Sequence, residues 1–356
     1  LVAGSILAEY LRLYMANLAP VSTTRTRDDC PEARAASIAH VLVCLDRSAA
    51  SDTCLQRARF VAEAFGARVT LLYVMPSPPC AQERSRADAL EWEIERREAE
   101  LYLERARRSL GTSPQTTISR VSQGSPAEQI VAAASELAAD VTVLASHGEG
   151  GTDAARLGSV AQHVLATVSG SILLVPPTCA ARTPPRRIMV PLDGSVRSEC
   201  VLPSVADLAH AHGAEVLLVH VVTGPTPSAV LSDPADIQLA LALAARMEAN
   251  AESYLARMRA RLLARVSTVR TLVVRRAEDR QALLDVAAEL CVDMLALTAH
   301  GTGCRVERVF GSVASYLLSH AARPLFVLQD MPRLALERSS SPLTRGTLGA
   351  RPLDGE

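Results

Sequence analysis

Residues 297–318 read LTAHGTGCRVERVFGSVASYLL. The apolar run 294–297 stops at Thr298-Ala299-His300-Gly301. Nine residues later come Gly311-Ser312, and apolar residues at helical spacing follow. Residues 144–164, LASHGEGGTDAARLGSVAQHV, carry the same parts: His147-Gly148, nine residues, then Gly158-Ser159. A short buried strand, a glycine turn and a fresh helix therefore occur twice. The rest of the chain is read outward from this pair.

Before the first copy, strands are expected over 41–45, 69–74 and 116–121, and the strand entering the glycine turn over 141–145. Helices are expected between them: one with Leu55, Ala58, Val61, Ala62 and Phe65 inward and Gly66 as its stop, one over 83–110, and one opened by Ser125 as N-cap and Pro126. The long helix 83–110 has Leu90, Ile94, Leu101 and Leu103 as its apolar positions and reads as lying on the surface. A helix over 159–168 and a strand over 172–175 close the unit. The order then repeats: strand 188–192, a helix to His212, strand 216–222, helix 237–266, strand 269–275, helix 281–290, strand 294–297, helix 311–320 and strand 325–328. Asp46 and Asp193 are 147 residues apart, Gly148 and Gly301 153 apart, so six additional residues fall in between, after the second strand.

Strands and helices that alternate in this way imply α/β units with parallel five-stranded sheets covered by helices on both faces. Right-handed crossovers then leave few topologies. The expected divisions are an N-terminal extension 1–38, a first domain 39–177, a linker 178–185, a second domain 186–330 and a tail 331–356 of disordered composition. In such sheets ligands bind beyond the carboxyl ends of the strands, where the strand order reverses. The loops after the first and fourth strands of each unit lie at that edge.

Composition narrows the chemistry. All 37 Lys+Arg residues are Arg. With no lysine there is no P-loop lysine, no Schiff base and no pyridoxal-phosphate anchor. A formal net charge of -1 offers no basic face for nucleic acid. The eight cysteines show neither C-x-x-C nor zinc spacing, and are read as reduced thiols of a cytoplasmic protein. No apolar run reaches the ~18 residues of a membrane span. Glu9 and Arg12 interrupt the apolar part of 1–18, which argues against a signal peptide.

Glycine lets the main chain approach an anion closely, and a helix start supplies unpaired N–H groups. Gly148, Gly158 and Ser159, and likewise Gly301, Gly311 and Ser312, are thus candidate phosphate cradles that need no lysine. The competing reading is a plain turn with Ser capping the helix. Asp46 and Asp193 end the first strand of each unit, where each can accept a hydrogen bond from a ribose hydroxyl or cap the next helix. Gly194 permits a tight turn after Asp193, while Arg47 holds that place in the first unit. His147 and His300 have no carboxylate nearby that would make either a general base. Ser48 and Ser195 read as N-caps. Neither a catalytic residue nor a metal-ligand set is assigned.

At these residues the sequence resembles the universal stress protein family in its tandem form. That family's signature is G-x-x-G, nine residues, then G followed by Ser or Thr. Both copies keep the last three positions, and Ala145 and Thr298 replace the first glycine. The family's V-P-x-D-x-S stands as Val190-Pro191-Leu192-Asp193-Gly194-Ser195; the first copy has Cys44 in place of Pro. The strand-two ends match at Tyr73-Val74 and His220-Val221. Gly124-Ser125-Pro126 matches the family's G-x-P, which is lost at Ala277-Glu278-Asp279.

The resemblance implies a flavodoxin-like, adenine-nucleotide-hydrolase-like sandwich in each half. It implies ATP with adenine near Val74 or Val221, ribose near Asp46 or Asp193, and phosphates at the glycine loops. It also implies that the last strands, 172–175 and 325–328, pair into a pseudo-dimer within one chain, with a homodimer of chains as a further expectation. The function expected is binding of ATP or a related adenine nucleotide in one or both halves in a stress-response or regulatory role, with at most slow hydrolysis. One alternative is a member that binds no nucleotide and acts through protein contacts. Another is an ATP pyrophosphatase-type enzyme, whose S-G-G-x-D-S loop is absent here.

Overall fold

Apolar runs in this chain are short and unbroken, as strands buried on both faces require. The computed structural model describes residues 38–77, 86–111, 116–147, 157–177, 184–223, 234–276, 279–302 and 309–329. Gly148, residues 1–37 of the N-terminal extension, Asp330 and the tail 331–356 lie outside the described residues.

The first half runs β1 (His40–Leu45), α1 (Ala49–Phe65), β2 (Arg68–Met75), α2 (Arg86–Leu110), β3 (Thr117–Gln123), α3 (Pro126–Glu136), β4 (Val141–Ala145), α4 (Ser159–Thr167) and β5 (Ser171–Val175). The second runs β6 (Arg187–Pro191), α5 (Val196–Glu199), α6 (Leu202–His212), β7 (Glu215–Val222), α7 (Pro234–Leu262), β8 (Val269–Arg275), α8 (Asp279–Glu289), β9 (Met294–Thr298), α9 (Ser312–His320) and β10 (Leu325–Leu328). The helix expected to run unbroken to His212 is divided in two. Pro203 stands in the first turn of α6. It offers no N–H to the turn before it, and its ring crowds the preceding carbonyls.

All ten strands form one sheet in the order β3-β2-β1-β4-β5-β10-β9-β6-β7-β8. Within each half every pairing is parallel. The halves join through β5 and β10, which pair antiparallel with Leu325 opposite Leu174, Phe326 opposite Leu173 and Val327 opposite Ile172. The pseudo-dimer within the chain is therefore built on the two last strands, as the resemblance implied. Alternate residues along the strands feed two continuous cores. Val41, Val43, Leu71, Leu173 and Phe326 meet α1, α2 and α6 on one face. Leu42, Leu72, Ile172 and Leu174 meet α3, α4, α8 and α9 on the other.

The long helix α2 differs from its sequence reading. Leu103 is buried, with Ala99, Ala106 and Leu110 beside it, whereas Leu90, Ile94 and Leu101 are 64%, 51% and 51% exposed. Ala99, Leu103, Ala106 and Leu110 share the face turned to the core, and Leu90, Ile94 and Leu101 fall on the outer face.

Phe326 is fully buried at the seam between the halves. Phe326→Ala should cost about 3–5 kcal/mol, the range for emptying an aromatic core site. Urea unfolding of the full chain measures it; a loss below ~1 kcal/mol would mean that the seam is not a packed core.

Candidate functional site

In each half the two central strands pair over only part of their length, at the place where the topology predicts a crevice. β1 is hydrogen-bonded to β4 only over Val41–Val43 against Val141–Val143, and β6 to β9 only over Ile188–Met189 against Met294–Leu295. The amino ends are pinned by one aspartate in each half. Asp140 Oδ2 accepts from the N–H groups of Ala39 and His40 at 2.9 and 3.0 Å, and Asp293 Oδ2 from those of Arg186 and Arg187, both at 2.9 Å. Beyond the paired residues the chain leaves β1 and β6 toward one face and β4 and β9 toward the other. A gap at the carboxyl edge follows.

In the second half this gap is bridged by Asp193. The Ser195 N–H and hydroxyl donate to its Oδ1 at 2.9 and 2.6 Å. The Thr302 N–H and hydroxyl donate to its Oδ2, both at 2.7 Å. The loop after β6 is thereby tied to the turn after β9 across 109 residues of chain. Gly301 makes this approach possible: a Cβ there would overlap Asp193 Oδ2 and lie 3.2 Å from Cγ. Burial of the carboxyl opposes its ionisation, but the bonds from Ser195 and Thr302 outweigh it and hold Asp193 below its ordinary range. Gly194 takes φ +84°, and Ser195 caps α5 by accepting from the Ser198 N–H at 3.1 Å. Thr298, in place of the signature's first glycine, donates its hydroxyl to the His300 carbonyl at 2.8 Å and stiffens the turn.

The first half builds the same β1 loop from different parts. Asp46 Oδ1 accepts from the Ser48 N–H at 3.0 Å, the Ser48 hydroxyl at 2.6 Å and the Ser51 hydroxyl at 2.8 Å. Ser48 holds the N-cap position of α1, but its side chain is turned to Asp46 and does not cap the helix. Arg47 adopts φ +65°, the conformation that Gly194 takes more easily. Its guanidinium lies 5.0 Å from the centroid of the Tyr73 ring and 3.6 Å from Glu98. The sequence position equivalent to Thr302 is Glu149, which carries no hydroxyl and lies outside the described residues.

Both cradle helices start alike. Gly158 and Gly311 are the N-caps of α4 and α9, so Ser159 and Ser312 fall one residue inside and do not cap. A glycine cap has no side chain to offer, and the first-turn N–H groups are left for another acceptor. The Gly158 N–H bonds to the Ser146 carbonyl at 2.8 Å and the Gly311 N–H to that of Ala299 at 2.7 Å, which fixes each helix start beside its strand end. A Cβ on Gly311 would come 3.3 Å from the Ala299 carbonyl.

Val74 and Val221 are half-buried against the α3 and α8 sides of the crevices. Their neighbours Tyr73 and His220 point to the opposite face, edge-on to Tyr102 and Tyr254 with centroids 6.0 Å apart in each pair. Cys44 and Pro191 occupy matching half-buried positions at the strand ends, and burial pushes the Cys44 thiol up, away from thiolate chemistry. His147 and His300 are buried within the turns; the Ser146 hydroxyl is 2.9 Å from His147 Nδ1. The structure thus brings Pro191, Asp193, Gly301, Gly311 and Ser312 to one edge in the second half, and Asp46, Val74, Gly158 and Ser159 to the matching edge in the first. The sequence reading did not find Thr302, Ser51, Asp140 or Asp293. For Ser51, Asp140 and Asp293 the one signal was recurrence, since Ser51 and Ser198, and Asp140 and Asp293, occupy equivalent places in the two copies; Thr302 has Glu149 in its place and gave none.

The Asp193 bridge makes a signed prediction. A carboxyl held below its ordinary value stabilises the fold above the unfolded-state pKa, near 3.8. That stability is lost as pH falls through the lower folded value. Asp193→Asn should lower the urea midpoint at neutral pH, and its deficit against the native chain should vanish in acid; a deficit that is the same at both would contradict the bridge. Gly301→Ala should cost about 1 kcal/mol, less than a fully buried charge-assisted bond, because Asp193 as a residue remains exposed although Ser195 and Thr302 cover its carboxyl oxygens. A neutral effect in the same assay would show that the close approach carries no weight.

These geometries can be set beside known proteins. The model of the universal stress protein family matches the chain twice, over residues 38–176 and 185–329. Among solved structures, a universal stress protein from Archaeoglobus fulgidus DSM 4304 is 17% identical with a TM-score of 0.54, covering 82% of this chain and 98% of that one. A protein of unknown function from Pseudomonas aeruginosa PAO1 is 14% identical with a TM-score of 0.60, covering 85% and 96%. At these identities the likeness is one of fold. No curated protein sequence matches the chain. Two matches of the family model that together span most of the sequence, on two copies of one α/β unit, place this chain in the universal stress protein family.

Proposed function

We propose that the chain consists of two nucleotide-binding domains, 39–177 and 186–330, that take ATP or a related adenine nucleotide in one or both halves and serve a regulatory, stress-linked role in the cytoplasm. The observation that carries this reading is the meeting of Asp193, Gly301 and the glycine-capped start of α9 at one sheet edge. Adenine fits against the half-buried Val221 or Val74, with Pro191 at the strand end of the second half. Ribose hydroxyls are within the chemistry of Asp193 or Asp46. The phosphates are met by main-chain N–H groups at Gly301 and Ser312, or at Gly148 and Ser159; Gly311 and Gly158, whose own N–H groups bond to Ala299 and Ser146, leave the approach free of a side chain. Such a cradle needs no lysine, and the chain has none. The reading assigns no group to attack or protonate the phosphates, so hydrolysis is slow at most.

One observation favours a second reading. All four bonds to Asp193 come from the protein itself, and its carboxylate fills the space beside Gly301. A ribose hydroxyl must displace Thr302 to bind there. A chain in which that exchange is unfavourable would be a member without nucleotide, acting through protein contacts.

Titration calorimetry with ATP separates the two. Binding is expected, and Gly311→Leu, which drives a side chain toward the Ala299 carbonyl, should weaken the second site at least about tenfold, or ~1.4 kcal/mol. Circular dichroism checks that the variant is folded. No heat at millimolar ATP would sink the nucleotide reading in favour of the second; unchanged affinity in Gly311→Leu would move the site away from α9.

A further inference from the structure

The two halves meet differently on the two faces of the sheet. On one face α1 packs directly on α6, where His212 Nε2 donates to the Phe60 carbonyl at 2.8 Å. On the other face α4 and α9 flank the β5–β10 seam and leave an open apolar cavity of about 400 Å³ between them. Buried Leu165 and Leu318 form its floor, and Gln162, Ala166, Ser315 and Ser319 stand exposed along its rim. Neither SVAQHVLAT of α4 nor SVASYLLSH of α9 contains Asp, Glu or Arg, in a chain that is 21% charged. Depletion of charge marks a covered surface rather than a solvated helix face. Gln162 Nε2 donates to the Leu157 carbonyl at 3.0 Å and the Ser319 hydroxyl to the Ser315 carbonyl at 3.1 Å. With these rim groups already bonded locally, a polar small molecule finds little there to bind.

We propose that the groove is covered by the chain's own carboxyl-terminal segment, residues 331–336, which straps α4 to α9 across the seam. The first argument is where the described chain ends. Gln329 follows β10, and its N–H donates to Ser171 Oγ at 3.1 Å. Its side-chain Nε2 donates to the Val309 carbonyl at 3.4 Å, and Val309 lines the groove. The last described residue is therefore fastened at one end of the groove, on the α4/α9 face of the sheet, and the tail sets out from there.

The second argument is length. Each flanking helix has nine residues and is thus about 14 Å long. Six residues of extended chain reach ~20 Å, enough to cross from the Val309 end to the far rim.

The third argument is chemistry. The tail as a whole has a disordered composition, but its apolar residues gather at its start. Residues 331–336 read MPRLAL, and 337–341, ERSSS, contain no apolar residue. Met331, Leu334 and Leu336 suit an apolar floor. Pro332 has no N–H to leave unpaired against that floor. Arg333 has a stem long enough to keep its charge in water. The apolar stretch thus ends about where the groove does. The proposal does not depend on nucleotide binding.

Photo-cross-linking in the full chain tests it. Ala335→benzoylphenylalanine sets the probe between the two leucines, and mass spectrometry maps the products. They should lie within one chain and fall on residues 157–166 or 309–319. Ala166→Arg puts a cation at an exposed rim position, so folding is retained, as circular dichroism checks. It should lower the yield at least about fivefold, since a charge in an apolar groove meets no partner. Leu348→benzoylphenylalanine, beyond the strap, should give no preferred product. Products that persist in Ala166→Arg, that fall on α2 or on residues 1–38, or that join two chains would each overturn the proposal. So would the absence of a preferred product from position 335.

Discussion

A carboxylate oxygen stands where Gly301 would carry its Cβ, and the architecture of the carboxyl edge follows from that contact. It requires a glycine after β9, an aspartate after β6, and a gap between two strands that are adjacent in the sheet yet send their chains to opposite faces. Asp140 and Asp293 supply the complementary restraint at the amino edge, where each gathers two backbone N–H groups from the start of the first strand of its half. Pinned at one end and parted at the other, the strands form a wedge. The glycine-capped helix starts then lie beside its opening.

The two halves share this plan but spend it differently. The second half closes the wedge with four hydrogen bonds on one aspartate, and its loop turns through a glycine at φ +84°. The first half turns the same corner with Arg47 at φ +65°, a conformation costing an ordinary residue about 1–2 kcal/mol. Contact of that guanidinium with Tyr73 and Glu98 offsets part of the cost. Divergence of this kind is easiest in a tandem chain, since one half can retain a role while the other changes. The antiparallel β5–β10 pairing holds the two together through a core that continues across the seam on both faces.

Much of this was legible in the sequence. The repeat of glycine, nine residues and Gly-Ser located the starts of α4 and α9. Unbroken apolar runs located the inner strands, because parallel strands buried on both faces have no polar alternation to obscure them, and period-2 alternation located β3 at the edge. The strand-one aspartates and the pairing of the last strands were expected as well. What escaped depended on distance or on competition. Thr302 is one hydroxyl with no pattern around it, and its meaning lies in a partner 109 residues away. The outward turn of Leu90, Ile94 and Leu101 is a contest with Ala99, Leu103, Ala106 and Leu110 for the face turned to the core. The division between α5 and α6 was present in the sequence as Pro203 and was outweighed by apolar residues on either side.

The claim on which the account rests is that the wedge at the carboxyl edge receives an adenine nucleotide. Hydrogen–deuterium exchange of the full chain with and without ATP tests it in place, since main-chain N–H groups are the proposed ligands. Added ATP should slow exchange at Gly301, Thr302, Ser312 and Val313, or at Ser159 and Val160 in the first half, and leave β3 and β8 unchanged. Exchange that is unaltered at both helix starts under saturating ATP, or slowed only elsewhere on the surface, would contradict it.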